Sequence, residues 1–458
     1  MGVVTLAGLV FVNGWIAPTG TGYYAKILCS GLFVDGLERE RVESEELRPY
    51  WYISARVDDE AKTVTSRLLG MAPRTALYRE GLGCTLAIDA TPEQLRAQTP
   101  DFEPRPQLAD RAWPIGDVVS ETPLAGIDSD ALAAALDYGF AEPDPDKPIL
   151  TRAILVVHGD QLVAERYAEG IDANTRLPGW SMTKSVNATL IGILVGQGEL
   201  DLHAPAPIPA WQGEEDPRAG ITLDQLMRMS SGLSFKEVYG PLTDATAMLF
   251  ESPSAAEFAM TSPLDSPPDT VWSYSSGTSN LLAWIVRQRV EARAGGGEDA
   301  WARYLAFPRE ALFDPIGMTS AVMEPDASGT FVASSFMHAT ARDWARFGLL
   351  HLHDGVWNDR RILPEGWVDY VSTPTPTAPI GEYGAQWWTN GGRPEDPSDR
   401  RFPSAPRDTY QASGFQGQAV IVIPSRDLVI VRLGMSNSRD ALDLDGLIAR
   451  VLGAMPTG

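Results

Sequence analysis

The sequence has few basic residues for its length. Its 458 residues include 37 lysines and arginines against 60 aspartates and glutamates, which gives a formal net charge of -23. A surface of this charge repels nucleic acid and anionic lipid headgroups, so we expect neither as a partner. The apolar fraction of 44% and the charged fraction of 21% are typical of a globular protein, and the length allows two or three domains.

Residues able to bind metals are also scarce. The cysteines, Cys29 and Cys84, form no Cys-x-x-Cys motif, and neither has a histidine nearby. No His-Glu-x-x-His or other metal spacing occurs among the five histidines, which are His158, His203, His338, His351 and His353. We therefore predict no metal and no cofactor. The cysteines are either two unrelated buried thiols or one disulfide, which would require an oxidising compartment.

The N-terminal segment carries no charge from Val3 to Pro18. It is slightly short for a membrane span but suits the apolar part of a signal peptide or a signal anchor. The basic residues that usually precede such a segment are missing, so a buried strand or helix is the alternative. We predict that residues 1–20 export or anchor the protein, in the periplasm or at the membrane of a bacterium. Export would favour the Cys29–Cys84 disulfide.

Residues 21–124 are predicted to form an accessory region. The stretches "WYISARVDD" and "TVTSRLLG" have the composition of strands, and "TPEQLRAQ" is typical of a helix with a threonine cap. The following "DFEPRPQLADRAWPIGD" is rich in proline and polar residues, which favours a linker. We place a domain boundary near Ala125.

Residues 125–458 have an α+β pattern. A hairpin is predicted around His158-Gly159-Asp160 and a second one around Pro424–Asp427, where strand-like runs flank turn residues. The segment between Ser181 and about Tyr370 is mostly helical. We therefore expect one antiparallel sheet, built from both ends of this domain and flanked by helices, together with a mostly helical subdomain.

The heptapeptide "GWSMTKS" contains a candidate nucleophile. Ser181 and Lys184 are three residues apart at the start of an apolar helix that ends at glycines, so they share one face. A lysine that loses its proton through burial can act as the base for a serine, whereas arginine cannot. The alternative is a helix-capping serine beside a solvated lysine. Because Gly-x-Ser-x-Gly is absent from the sequence, a Ser-His-Asp triad on an α/β-hydrolase fold is disfavoured.

Several blocks in order resemble a known family. The stretches "RLPGWSMTKSVNATLIGILVGQGELDL", "ITLDQLMRMSSGLSF", "WSYSSGTSNLLAWIV", "YGAQWW" and "ASGFQGQAVIVIPSRDLVIVRLG" resemble serine hydrolases of the class C β-lactamase and penicillin-binding-protein superfamily. Within it they are most similar to family VIII esterases and 6-aminohexanoate-dimer hydrolases. The resemblance covers residues 125–458 and implies a β-lactamase/transpeptidase-like fold.

The resemblance also implies roles for individual residues. Ser181 matches the acylated serine, Lys184 the lysine that shares its proton, and Tyr274 the tyrosine that relays protons to the leaving group. The third motif corresponds to Gly414–Gly417, so the oxyanion hole would consist of the backbone N–H groups of Ser181 and Phe415. The remaining residues assigned to substrate binding are Tyr239, Trp387, Ser276 and Gly414. The alternatives are that Tyr239 packs on the domain surface and that Trp387 packs under the pocket.

Two departures from the family narrow the expected substrate. β-Lactamases of this superfamily carry Lys-Thr-Gly in the third motif, but this chain has no lysine after Lys236. The second motif has Ser276 where the β-lactamases have asparagine. We therefore expect a small-molecule ester or linear amide as substrate, with weak or no activity on β-lactams. The alternatives are a DD-peptidase or β-lactamase, and a catalytically inactive binding homologue.

Overall fold

The secondary-structure elements follow the predicted order along the chain. In this computed structural model the described residues are 17–456 except 121, 123, 214, 298, 394–395 and 439–440. The helices are α1 (Ala17–Phe33), α2 (Arg39–Glu45), α3 (Pro92–Ala97), α4 (Ser129–Phe140), α5 (Met182–Gly196), α6 (Leu223–Met227), α7 (Asp244–Phe250), α8 (Ala255–Met260), α9 (Ser276–Arg293), α10 (Ala300–Pro308), α11 (Ala341–Leu352), α12 (Trp367–Ser372) and α13 (Leu444–Ala454). The strands are β1 (Ile53–Asp58), β2 (Thr63–Leu68), β3 (Met71–Arg79), β4 (Gly83–Leu86), β5 (Thr151–His158), β6 (Gln161–Tyr167), β7 (Arg176–Pro178), β8 (Val322–Met323), β9 (Met337–Thr340), β10 (Val356–Trp357), β11 (Arg360–Arg361), β12 (Trp388–Thr389), β13 (Tyr410–Gly414), β14 (Gln418–Ile423) and β15 (Leu428–Gly434).

A six-stranded antiparallel sheet joins the two ends of residues 125–458, as predicted. Its strand order is β12-β13-β14-β15-β5-β6, so the hairpin β5–β6 pairs with the late hairpin β14–β15. Both hairpin turns lie at the predicted positions, and Asp160 and Asp427 adopt the positive φ values that tight turns require. The valines and isoleucines of β5, β14 and β15 are buried on both faces. The sheet therefore needs a helical layer on each side.

Those layers come from helices distant in sequence. One face packs against α4 and α13, whose apolar side chains form a core with Ile154 and Ile430. The other face packs against α11 and α5, and it merges into the larger core of the helical subdomain. Asp128 caps α4 by accepting from the N–H of Ala131. These contacts fix α5, and with it Ser181, against the sheet.

The N-terminal region forms a second sheet that shares the main core. Strands β1 to β4 pair in sequence order, and the face of β2, β3 and β4 is covered by α1. The Cys29–Cys84 disulfide joins α1 to β4, so the disulfide interpretation is confirmed. Thr91 caps α3 as predicted, and Gln94 completes a capping box with it. The first residues of α1, from Ala17 to Gly20, belong to the segment predicted to export or anchor the protein; residues 1–16 lie outside the described part.

A buried ionic cluster also connects the two regions. The Lys26 ammonium donates to the Glu324 carboxylate, which also accepts from the N–H of Cys84 at 2.6 Å. His338 lies between Asp35 at 2.7 Å and Glu324 at 3.3 Å. Glu324 has no exposed surface. Burial alone would raise the pKa of Glu324, but the cations of Lys26 and His338 lower it to about 2.

Among the described residues no helix is both long and apolar enough to cross a bilayer.

Candidate active site

Ser181 lies in a constrained turn at the start of α5. Its side chain makes no capping hydrogen bond with the helix, so the helix-cap alternative does not describe it. Trp180, just before it, has a φ of 48°, a left-handed conformation that bulky residues adopt only where the surroundings impose it. A Cβ atom on Gly179 would lie 2.4 Å from the ring of Trp344, so only glycine fits there. The turn places the Ser181 hydroxyl beside Lys184, and not against the free N–H groups of the helix.

Lys184 is buried among neutral partners. Its side chain is about 1% exposed, and Nζ donates to Ser181 Oγ at 3.2 Å, to Ser276 Oγ at 3.0 Å and to the Ser334 carbonyl at 2.8 Å. Within the described part of the chain it forms no salt bridge. Burial therefore lowers the pKa of Lys184 to about 8, and the nearby Glu237 carboxylate offsets part of that effect. Near neutral pH a useful fraction of the amine can accept a proton.

Tyr274 is close to the same amine. Its half-buried ring has its centroid 4.9 Å from Lys184 Nζ. The ring is held by Tyr383 and Trp388, with centroid distances of 5.7 Å and 5.3 Å. The structure therefore brings together the three residues predicted to act in catalysis, Ser181, Lys184 and Tyr274.

Glu237 is a site residue that the sequence analysis did not single out. It accepts two hydrogen bonds from Ser276, one from the backbone N–H at 2.7 Å and one from Oγ at 2.6 Å. Ser276 thus accepts from Lys184 and donates to Glu237. Its oxygen is held in a fixed chain of contacts, which explains why a serine serves at this position. The only sequence signal was a carboxylate two residues before Tyr239 in a loop already assigned to the pocket.

The third motif packs against the nucleophile turn. A Cβ atom on Gly414 would lie 2.2 Å from the Gly179 carbonyl oxygen, so this glycine permits the close approach of β13 to the turn. The wholly buried guanidinium of Arg432 donates to the carbonyls of Gln416 at 2.9 Å and Gly417 at 3.1 Å. No hydrogen bond to another described residue uses the N–H of Ser181. The geometry leaves that N–H available to a substrate oxygen, with Phe415 on the adjacent turn.

The remaining predicted substrate-binding residues have different environments. The ring of Tyr239 stacks on Phe415 with a centroid distance of 5.8 Å, and Phe415 meets Trp180 edge to face at 5.5 Å. Trp387 does not line the site: it is fully buried and stacks on Phe347, so it packs beneath the site. Its neighbour Trp388 is the tryptophan that contacts Tyr274. In the described part of the chain, no cluster of histidine, cysteine and carboxylate side chains could hold a metal ion.

Known proteins resemble this chain in sequence and in structure. The family model described as Beta-lactamase matches residues 140–453. The 6-aminohexanoate-dimer hydrolase of Paenarthrobacter ureafaciens is 27% identical over 353 residues, which cover 70% of this chain and 81% of that protein. A candidate 6-aminohexanoate-dimer hydrolase from Bacillus anthracis has a TM-score of 0.51 at 23% identity, covering 74% of this chain and 87% of its own. A candidate β-lactamase from Bacteroides dorei has a TM-score of 0.54 at 17% identity, over 71% and 97% of the two chains.

The fold and the site together define a serine hydrolase of β-lactamase/transpeptidase-like architecture, which confirms the predicted fold class. The chain belongs to the Beta-lactamase family, whose model matches well over half of it. The resemblance to 6-aminohexanoate-dimer hydrolases is confirmed by the Paenarthrobacter relative, and the chain is a hydrolase. Residues 17–139 lie outside the family match.

Proposed function

We propose that this hydrolase cleaves small carboxylic esters or linear amides through an acyl-enzyme on Ser181. The observation that carries the proposal is the environment of Lys184, a buried amine with neutral partners 3.2 Å from Ser181 Oγ. A lysine buried at this cost and placed beside a serine that caps nothing is explained by base catalysis.

In the acylation step, neutral Lys184 takes the proton of the Ser181 hydroxyl while Oγ bonds to the substrate carbonyl carbon. The resulting oxyanion accepts hydrogen bonds from the N–H groups of Ser181 and Phe415. Collapse of the tetrahedral intermediate breaks the bond to the alcohol or amine. That leaving group takes a proton relayed from the Lys184 ammonium through Tyr274.

Deacylation reverses these roles. Water attacks the acyl carbon, and the Lys184/Tyr274 pair takes its proton. The carboxylic acid then leaves and Ser181 regains its proton. The hydrogen bonds that link Lys184, Ser276 and Glu237 support both steps, because the Glu237 carboxylate stabilises each transient ammonium at Lys184.

The pocket favours uncharged esters and amides over β-lactams. β-Lactams carry a carboxylate that needs a cation, and the third motif here presents Phe415 and Gln416 instead of a lysine. Arg432 cannot replace that lysine, since its buried guanidinium is occupied by main-chain carbonyls. β-Lactamase or DD-peptidase activity is therefore the second candidate, supported by the shared fold alone.

A substrate panel tests the proposal. Purified protein should hydrolyse p-nitrophenyl esters or linear anilides, and nitrocefin much more slowly. A fluorophosphonate probe should label the wild-type protein and not Ser181→Ala. Labelling of both proteins to the same extent, or of neither, would refute the assignment of Ser181. Turnover of nitrocefin without turnover of any ester or amide would favour the second candidate.

We also propose that the protein acts outside the cytoplasm, exported or anchored through residues 1–20. The Cys29–Cys84 disulfide supports this because such bonds persist in oxidising compartments. Fusing residues 1–40 to a reporter that is active only after export should give active reporter in a bacterial host. An inactive cytoplasmic fusion would contradict the proposal.

A further inference from the structure

A cavity of about 400 Å³ lies beside the candidate active site, and the N-terminal region forms about half of its wall. Helix α1 contributes Gly20 and Tyr23, the segment between α2 and β1 contributes Tyr50, and strand β2 contributes Leu68. The volume is that of a pocket for a small organic ligand. Because residues 17–139 lie outside the family match, this half of the wall is a feature added to the family's hydrolase domain.

The wall is apolar and aromatic. Seven of its residues are tyrosine, tryptophan or phenylalanine, and none of the described residues lining it carries a charged side chain. The rings support one another: Tyr23 lies 5.1 Å from Tyr50 and 5.3 Å edge to face from Phe250. Such a wall stabilises alkyl or aryl groups and disfavours a charged group, which would lose its hydration without gaining an oppositely charged partner.

The cavity borders residues that are next to the reacting groups. Trp180, which precedes the nucleophile, and Phe415, on the oxyanion turn, both line it. Tyr239 stacks on Phe415 at the boundary between the cavity and the catalytic side chains. A substrate whose carbonyl lies at Ser181 can therefore extend one arm past Trp180 into the cavity.

We propose that this cavity binds the uncharged alkyl or aryl arm of the substrate, so that the enzyme prefers esters and amides with an extended apolar group. This inference rests on the proposed function of Ser181. The substrate proposed here differs from one that ends in a free ammonium, such as a linear 6-aminohexanoate dimer. No described side chain in the wall carries the negative charge that would pair with that ammonium.

Two homologous ester series test the proposal with the full chain. In one series the acyl chain of a p-nitrophenyl ester lengthens from two to ten carbons; in the other the alcohol of an acetate ester lengthens likewise. All are used below their critical micelle concentrations. In one series kcat/KM should rise about fourfold per added methylene until the cavity is full. The series with this rise identifies which arm enters the cavity. If the rise occurs in the acyl series, hexanoyl esters should also be cleaved at least about tenfold faster than 6-aminohexanoyl esters.

Leu68→Asp and its neighbour Leu69→Asp form a matched pair of variants. Leu68 lines the cavity, whereas Leu69 is 77% exposed and has a φ of 48° that aspartate tolerates. The measured quantity is the ratio of kcat/KM for the longest and shortest substrates, which does not depend on the amount of folded enzyme. Leu68→Asp should reduce this ratio at least about tenfold, and Leu69→Asp should leave it unchanged.

A second pair of variants keeps the proposal testable if Leu68→Asp does not fold. Gly20→Leu should fill part of the cavity and shorten the preferred chain, while Gly20→Ala should retain the wild-type preference. If both ester series are flat in a wild-type enzyme that hydrolyses the shortest esters, the cavity proposal is wrong and the proposed function stands. If no ester or amide is hydrolysed and Ser181 is not labelled, both proposals fail.

Discussion

At the scale of single residues, the proposed chemistry depends on Lys184. An ammonium that is about 1% exposed and bonded to two hydroxyls and a carbonyl is destabilised relative to water. The same placement that disfavours the charge makes the amine a base near neutral pH. Glu237, reached through Ser276, limits this lowering of the Lys184 pKa, so in the proposed mechanism the two residues set the working pH together.

The first prediction concerns the pH dependence of the rate. Because only the neutral amine can accept the Ser181 proton, kcat/KM should rise with pH through an apparent pKa near the value of about 8 for Lys184. Well below that pKa the rate should fall about tenfold per pH unit. Hydrolysis of a p-nitrophenyl ester between pH 5 and 9, corrected for the ionisation of p-nitrophenol, measures the profile. A flat profile over this range would exclude base catalysis by the Lys184/Tyr274 pair.

The second prediction concerns Glu237→Gln. An amide has one acceptor oxygen where the carboxylate serves both donors of Ser276, so one strong hydrogen bond is lost and activity should fall about 10- to 100-fold. Removing the negative charge should also move the apparent pKa of the rate profile downward, because that charge raises the pKa of Lys184. Exposed Glu257→Gln is the control. A loss of activity with an unmoved pKa would mean that Glu237 is only structural.

At the scale of elements, close approaches of backbone hold the site together. Strand β13 reaches the nucleophile turn at Gly414, and the Arg432 guanidinium of β15 holds the turn that follows. The disulfide similarly fixes α1 on β4 beneath the cavity wall. The approach at Gly414 and the disulfide join segments far apart in sequence, whereas the Arg432 contact lies within one hairpin region.

The third prediction concerns Gly414→Ala. A methyl group 2.2 Å from a backbone oxygen must push β13 away from the turn, which displaces the Phe415 N–H from the oxyanion. The value of kcat should drop by about 100-fold or more while the circular dichroism spectrum is retained. Gly220→Ala, where an added Cβ meets no atom within 4 Å, should behave like wild type. Normal kcat in Gly414→Ala would contradict the placement of the oxyanion hole.

The fourth prediction concerns the disulfide. The cysteines are 55 residues apart, so the cross-link should contribute about 4 kcal/mol to the free energy of unfolding by restricting the unfolded chain. Denaturation in urea with and without reductant measures this difference. The double variant Cys29→Ala/Cys84→Ala should be insensitive to reductant, and equal midpoints for wild-type protein in both conditions would show that the bond adds no stability.

At the scale of the whole molecule, the N-terminal region and the hydrolase domain share one core. Buried residues of α1 and of the first sheet pack in the same apolar cluster as those of α5 and α9. The Lys26–Glu324–His338–Asp35 cluster connects the two regions through buried charges. The region outside the family match therefore supports the fold and also lines the cavity.

The fifth prediction follows from that cluster. Lys26→Met leaves the buried Glu324 carboxylate with one cation fewer, which should reduce the free energy of unfolding by about 3–5 kcal/mol in one cooperative transition. Lys147→Met, at an exposed lysine, is the matched control. Thermal unfolding followed by circular dichroism makes the comparison. Unfolding of the variant in two separate steps would show that the regions are independent.

The sequence by itself determined the local structural features and the order of the family's motifs along the chain. Hairpins at residues 158–160 and 424–427, the caps at Thr91 and Asp128, and the placement of Ser181 beside Lys184 all depend on residues close together in the chain. Propensity, capping and helical periodicity act over such distances, so these elements were predictable. The order of the family's motifs supplied the fold class.

Only the tertiary structure decided which side chains from distant segments meet. Trp387 and Trp388 are adjacent, and neighbouring residues of an extended chain point to opposite sides, so the sequence could not tell which one contacts Tyr274. Glu237 became a partner of Ser276, and Leu68 a cavity residue, through contacts between segments far apart in the chain. Such contacts depend on the packing of whole elements, which no local pattern encodes.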